Sequence, residues 1–151
     1  KNLVDPISRR LFFVSDPVEF KVETENSLVK EAPWHPDNSE LGMREEKVNS
    51  GDTVYLPGEE IKKATELRLK NLCNMTVKNK SLKFSGFDHK QGNPIIQWCC
   101  NHRKMELFYP DGNSVNGIVE DNISDLDGQV VQFERVGFVR LEGNKAFFLH
   151  R

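Results

Sequence analysis

Val18-Glu19-Phe20-Lys21-Val22-Glu23 alternates apolar and charged side chains residue by residue. That is the period of a strand with one face in a core and the other in water. Glu66-Leu67-Arg68-Leu69-Lys70 repeats the pattern, and Lys104-Met105-Glu106-Leu107-Phe108-Tyr109 follows it less strictly. Val130-Val131-Gln132-Phe133-Glu134-Arg135 sets Val131 and Phe133 on one face against Gln132 and Glu134 on the other. Between such runs lie turn-forming residues: Asn49-Ser50-Gly51-Asp52, Tyr109-Pro110-Asp111-Gly112-Asn113, Leu126-Asp127-Gly128 and Glu142-Gly143-Asn144-Lys145. The Asp111-Gly112 pair predicts a hairpin. A helical period is scarce; Glu59-Glu60-Ile61-Lys62-Lys63-Ala64, acids first and bases last as the helix dipole prefers, predicts a turn or two. An all-β fold of about ten short strands is expected, its antiparallel sheets closed as barrels or packed as a sandwich. No internal repeat is visible in the letters. A boundary near Asn79-Lys80-Ser81, with strands on both sides, gives two small barrels, 1–80 and 81–151; a single sandwich fits the periodicity as well.

The 151 residues suffice for one ordinary domain or two small ones, and not for a full multi-domain enzyme. Apolar residues at 37% and charged residues at 29% exclude collagen-like and low-complexity chains. No run approaches the roughly 18 apolar residues of a membrane-spanning helix. The opening Lys1-Asn2-Leu3 lacks both an initiator Met and an apolar signal core, so a piece of something longer is expected. Three Cys, two of them adjacent (Cys99, Cys100), make a poor disulfide framework and favour a reducing compartment, here the cytoplasm.

The net charge of −2 argues against a strongly basic nucleic-acid binder, but the charge is unevenly spread. Residues 15–60 carry 12 acidic and 4 basic side chains, whereas 62–83 carry 7 basic ones (Lys62, Lys63, Arg68, Lys70, Lys78, Lys80, Lys83) against Glu66 alone. This permits a basic patch on an acidic body without requiring one, since charge runs usually lie on solvated faces.

Signatures of catalysis are missing. The sequence has no Gly-x-Ser-x-Gly elbow and no glycine-rich phosphate loop. Cys99-Cys100-Asn101-His102 has metal-ligand residue types, but vicinal side chains of a strand face opposite ways and no second Cys or His pair stands at ligand spacing. No metal site is expected there. His35, His89 and His150 are scattered and read as surface or packing residues. Sequons at Asn74, Asn79 and Asn122 matter only in a secreted chain. An all-β chain without catalytic chemistry is expected to bind. Single-stranded nucleic acid is read by stacking unpaired bases and hydrogen-bonding their edges. Candidate readers are Arg9 and Arg10 before one strand, Arg68 and Lys70 on one face of another, and Gln132 with Arg135 on a third. Spacing alone fits solvated strand faces at least as well.

From Val4-Asp5-Pro6-Ile7-Ser8-Arg9-Arg10-Leu11-Phe12-Phe13-Val14-Ser15-Asp16-Pro17-Val18 onward the chain resembles archaeal-type glutamyl-tRNA synthetases, where the catalytic part joins the β-barrel anticodon-binding region. His35-Pro36 with Leu41-Gly42-Met43-Arg44 resembles that family's His-Pro…Gly-x-Arg loop. Glu66-Leu67-Arg68-Leu69-Lys70-Asn71 resembles its Arg-Leu-x-Asn strand, Ile95-Ile96-Gln97-Trp98 its Ile-x-Trp strand, and Val131-Gln132-Phe133-Glu134-Arg135-Val136-Gly137-Phe138-Val139-Arg140 its closing Gln-Phe-Glu-Arg-x-Gly-Phe hairpin. Five signatures in order, from residue 4 to residue 140, are specific. The resemblance implies two duplicated β-barrels of the ribosomal L25-like kind, with exchange of N-terminal strands between them. It implies a parent ligase that joins glutamate to tRNA using ATP and Mg²⁺. The ATP-binding loops of that family are absent from this chain and are expected upstream of Lys1. A monomer is expected, with tRNA as partner and neither membrane nor DNA. A glutaminyl-tRNA synthetase shares the barrels and is the nearest alternative; a β-domain for protein interaction is the other.

Residue by residue, the resemblance implies that Arg10 and Gln132 contact the middle anticodon base, with Glu134 and Arg135 holding Gln132 in place. Arg68 and Lys70 fall on two basic positions beside the anticodon loop. Lys70 stands where the glutaminyl form has Arg, which removes planar bidentate geometry. That form's Arg for the third base falls near Glu60. Glutamate and glutamine anticodons share U in the middle and differ in the third base, so keeping the first set and losing the second is physically consistent.

Overall fold

The computed structural model describes residues 8–121 and 123–151. Fifteen strands follow along the described chain: β1 (Arg10–Leu11), β2 (Phe13–Ser15), β3 (Pro17–Glu23), β4 (Leu28–Pro33), β5 (Met43–Val48), β6 (Thr53–Pro57), β7 (Glu66–Leu69), β8 (Cys73–Lys78), β9 (Ser81–Gly86), β10 (Ile95–Ile96), β11 (His102–Phe108), β12 (Ser114–Glu120), β13 (Val130–Phe133), β14 (Gly137–Glu142) and β15 (Lys145–His150). The expected ten become fifteen because two- and three-residue strands such as β1, β2 and β10 are too short to show a period. Among the described residues, helix is confined to three-residue 3₁₀ turns at Ser39–Leu41, Gly58–Glu60 and Ser124–Leu126. The segment expected to be helical, 59–64, begins in the second of these, and Lys62 pairs with Glu59 at 3.0 Å across it. Among the described residues no helix is long and apolar enough to cross a membrane.

The strands form two nearly closed, barrel-like sheets. One has seven strands in the order β1-β13-β14-β15-β11-β12-β2; the other has six, β10-β7-β8-β9-β3-β6; β4 and β5 pair by themselves. In the first, the edge strands β1 and β2 are consecutive in sequence, joined only by Phe12, which links the ends of the sheet. In the second, an isolated antiparallel bridge between Tyr55 and Cys99 ties β6 to the segment just beyond β10.

By contacts the chain divides into two units. One holds the described residues up to Ser15 with Pro33–Met43 and Asn101–Arg151; the other holds Asp16–Ala32 and Arg44–Cys100. N-terminal strands β1 and β2 thus lie in one sheet with C-terminal β13 and β12. Residues 79 and 80, where the sequence suggested a divide, are the turn of the β8–β9 hairpin inside the second unit, with Asn79 at φ 52°. Hairpin partners pair antiparallel as expected. Parallel pairing appears where strands remote in sequence meet: β1–β13, β11–β15, β10–β7 and β3–β9.

The two sheets share one pattern. An antiparallel meander (β13-β14-β15 or β7-β8-β9) has a two-residue parallel strand on one side (β1 or β10). On the other it joins, in parallel, a strand of an antiparallel pair (β11-β12 or β3-β6). Register matches as well. Gln132 pairs with Arg10 and Phe138; Arg68 pairs with Ile95 and Asn74. A register shift follows Phe138 in one sheet and Asn74 in the other.

Alternation dictates which side chains enter each core. Leu11, Phe133, Val131 and Leu141 are buried in the first unit, where the Phe13 and Phe133 rings stack at 5.1 Å. Phe20, Val22, Leu56, Leu67, Leu69 and Met75 are buried in the second. Val18, expected to face inward, is instead exposed near the end of β3. Gly117 allows β12 to approach β2 closely: a Cβ there would stand 2.6 Å from the Val14 carbonyl oxygen and 2.7 Å from the Phe13 ring.

Candidate nucleic-acid interface

In the first unit, Leu11 and Phe133 point into the core, so their neighbours Arg10 and Gln132 lie on the opposite face. The two are register partners across the parallel β1–β13 pair although 122 positions separate them. Backbone bonds fix this placement: the Gln132 amide donates to the Arg9 carbonyl at 2.9 Å, the Glu134 amide to the Leu11 carbonyl at 3.0 Å, and the Arg10 amide to the Trp34 carbonyl at 2.8 Å. Phe138 continues the row on β14, with the His150 ring 4.9 Å from its own. The Oε1 atom of Gln132 is buried and accepts no hydrogen bond from the described residues. Leaving such an acceptor unmet costs about 1–3 kcal/mol, which a donor on a bound ligand would recover.

The flanks of this row are structural. Arg9 donates to Asp125 at 2.9 Å and lies 5.2 Å over the Trp34 ring, holding the Asp125 carboxyl below the usual carboxylate range. The guanidinium is therefore engaged within the unit. Arg135 is exposed in the β13–β14 turn at φ 66°, where the Val136 amide donates back to the Phe133 carbonyl at 3.0 Å. Gly137 follows at φ 142°, and a Cβ there would stand 2.7 Å from the His150 carbonyl oxygen, so this corner admits no larger residue. His35, from the His-Pro loop, is buried and accepts a hydrogen bond from the Asp37 amide at Nδ1 (3.0 Å), a packing role that shapes the 35–38 turn.

In the second unit, Leu67 and Leu69 are buried and Glu66 and Arg68 are partly exposed on the other face of β7, as the alternation predicts, with Lys70, also partly exposed, in the turn just past its end. Parallel pairing again sets the strand: the Arg68 amide donates to the Pro94 carbonyl at 2.8 Å and the Lys70 amide to the Ile96 carbonyl at 3.0 Å. Trp98 Nε1 donates to the Lys70 carbonyl at 2.9 Å. Arg68 differs from the expectation of an outward-reaching cation. Its Nη1 donates to Asn74 Oδ1 at 3.0 Å and to the Phe87 carbonyl at 2.9 Å. Asn74, fully buried, donates in turn to the Asp88 carbonyl, which removes it as a glycosylation acceptor. Glu66 accepts from Asn93 at 2.7 Å and from Lys90 at 3.1 Å, and these bonds hold its carboxyl below its ordinary value. Sequence reasoning noted Asn74 only as a sequon and did not single out Phe87 or Asn93, which lie in the loop after β9, where the sequence carries no period.

Cys99 is buried and bridges to Tyr55 through its backbone, while burial and the nearby Asp52 charge push the Cys100 thiol up. Among the described residues no three His, Cys, Asp or Glu side chains come together as a metal ion requires.

Two family models, both described as the anticodon-binding domain of class I tRNA synthetases (E and Q), match residues 8–89 and 93–142. The chain belongs to this family of anticodon-binding domains. It is 36% identical to a glutamate--tRNA ligase of Thermoplasma volcanium, over 99% of this chain and 28% of that protein. It is 33% identical to the glutamate--tRNA ligase of Pyrococcus abyssi, over 100% of this chain and 30% of the relative. To the glutamate--tRNA ligase of Sulfolobus acidocaldarius it is 34% identical over 97% of this chain. The chain spans less than a third of the length of these curated relatives.

Proposed function

We propose that the chain is the anticodon-reading region of a glutamate--tRNA ligase, with Arg10 and Gln132 meeting the middle base of the anticodon. The supporting observation is their side-by-side register, with a buried Gln132 Oε1 that accepts no bond from the described residues. Uracil offers O2 and O4 as acceptors and N3–H as a donor. Arg supplies donors only, whereas the Gln amide supplies both kinds, so the pair can meet an edge that neither could complete alone. A wrong base leaves a buried polar group unmet, and each good edge contact is worth roughly 1–3 kcal/mol of discrimination by analogy with groove readout. Glu134 and Arg135 follow Gln132 at the β13–β14 turn and hold Gln132 in place in this reading. Lys70 and Arg68 give the second unit a basic share in the same RNA. Ligation itself, with ATP and Mg²⁺, belongs to the part of the full-length protein outside this chain, and the partner is a glutamate-type tRNA. The test is charging by the full-length protein: changing the middle anticodon U to C should lower glutamate charging by about tenfold or more. Equal charging of both tRNAs would contradict the reading.

A further inference from the structure

Loop 87–93, which links β9 to β10, is tied down by three polar side chains. Arg68 holds the Phe87 carbonyl and Asn74 the Asp88 carbonyl at one end; Glu66 holds Lys90 and Asn93 at the other. A loop is ordinarily the mobile, solvated part of a barrel, and one fixed by this many side-chain bonds is preorganised. What it presents is an aromatic ring. Phe87 is 54% exposed, steadied by the Phe84 ring at 4.9 Å and an interplanar angle of 55°. A half-exposed phenyl ring on a rigid base offers a stacking surface to an unpaired base. The row makes the same point. Arg68 holds the register position that Gln132 holds in the first unit, but its partner on the short parallel strand is Ile95 where Gln132 has Arg10. The second unit has no polar pair across its short parallel strand; its polar pair there is Arg68 with Asn74 on β8.

We propose that Phe87 is a stacking platform for an unpaired base of the bound tRNA, and that Arg68 is a positioning residue that acts on the RNA through Phe87. The proposal rests on the anticodon-binding reading above and names the second unit's contact. Stacking of one base on an aromatic side chain is sequence-tolerant and worth about 5- to 100-fold in affinity.

The test measures tRNA affinity of the full-length protein as a function of salt for Phe87→Ala, Phe87→Leu, Phe87→Trp and Arg68→Lys, with thermal unfolding followed in parallel. Phe87→Ala and Phe87→Leu should each weaken binding by about 5- to 100-fold with an unchanged salt slope, since no phosphate contact is lost. Phe87→Trp should bind at least as tightly as the wild type, with emission from the new indole quenched on adding tRNA. Arg68→Lys keeps the charge but loses the two-way clamp; it should weaken binding and add little in the Phe87→Ala background. The idea is overturned if Phe87→Ala binds tRNA like the wild type, or if Phe87→Leu does, since the latter means that no base stacks on the ring. A salt slope that drops with Arg68→Lys, or full additivity with Phe87→Ala, overturns the positioning role. Loss of middle-base discrimination in Gln132→Ala, alongside an inert Phe87, would separate failure of this proposal from failure of the anticodon reading.

Discussion

The two units share a six-strand order, to which the first adds β2, and a register shift at matching places, and they use the same position on that pattern differently. In the first, Gln132 stands beside Arg10 and keeps a buried acceptor that nothing in the described chain meets. In the second, Arg68 stands beside Ile95 and bonds to Asn74 and Phe87 of its own unit. A duplicated frame thus supplies two strand faces of equal geometry, and the residues placed on them divide the labour. An amide left open can discriminate one base from another. A guanidinium whose Nη1 is bonded within the fold holds a surface in place.

If the two rows rest on equivalent frames, cutting away the core beneath either should be equally harmful. Phe133→Ala should destabilise by about 3–5 kcal/mol and Leu69→Ala by about 2–5 kcal/mol in denaturant unfolding. Both side chains are fully buried, and a loss under about 1 kcal/mol for either would break the equivalence. The next contrast separates the rows. Arg68→Ala leaves the buried Asn74 Oδ1 without its donor and should lower stability by about 1–3 kcal/mol, whereas Gln132→Ala removes no acceptor bond and should cost under about 1 kcal/mol. Similar losses for both would mean that the open amide is an ordinary structural group.

A further pair sharpens the same distinction on the basic stretch. Lys62→Ala with Lys63→Ala should weaken tRNA binding by roughly twofold or less, while Arg68→Ala with Lys70→Ala should weaken it by roughly tenfold or more. Lys62 pairs with Glu59 beside a 3₁₀ turn, whereas Arg68 lies on β7 and Lys70 just past its end. Equal losses in filter binding would reduce the stretch to a diffuse field. The smallest effect is a titration. Two hydrogen bonds hold the Glu66 carboxyl below the ordinary 4.5, so ionised Glu66 contributes stability above that value that is lost as pH falls through its folded one. The stability difference between wild type and Glu66→Gln should therefore be constant above about pH 4.5 and shrink on further acidification. A difference that grows toward low pH would contradict the assigned bonds.

How legible this was depended on whether a residue belonged to a periodic run. Strands β3, β7, β11 and β13 announce themselves by alternation, and with them the faces that carry Arg68 and Gln132. The meeting of Arg10 with Gln132 has no local signal, since β1 is two residues long and pairs in parallel with a strand at the far end of the chain. It came from the resemblance of the Arg9-Arg10 and Gln-Phe-Glu-Arg stretches to a family. The interleaved units were obscured for the same reason: β1 and β2 are too short to show which sheet they complete. The Phe87 loop was not visible at all, because Arg68 reads as a surface cation until Asn74 and the Phe87 carbonyl are placed beside it. Charge in the letters does not reveal whether a guanidinium faces solvent or the fold.

The account turns on whether Gln132 reads a base. Its most direct test is glutamate charging by the full-length Gln132→Ala protein, with tRNA carrying U or C at the middle anticodon position. The expected result is a loss of about 5- to 100-fold on the U tRNA and a narrowed gap to the C tRNA, because the amide that distinguishes them is gone. A loss by the same factor on both tRNAs would mean that Gln132 only positions the loop.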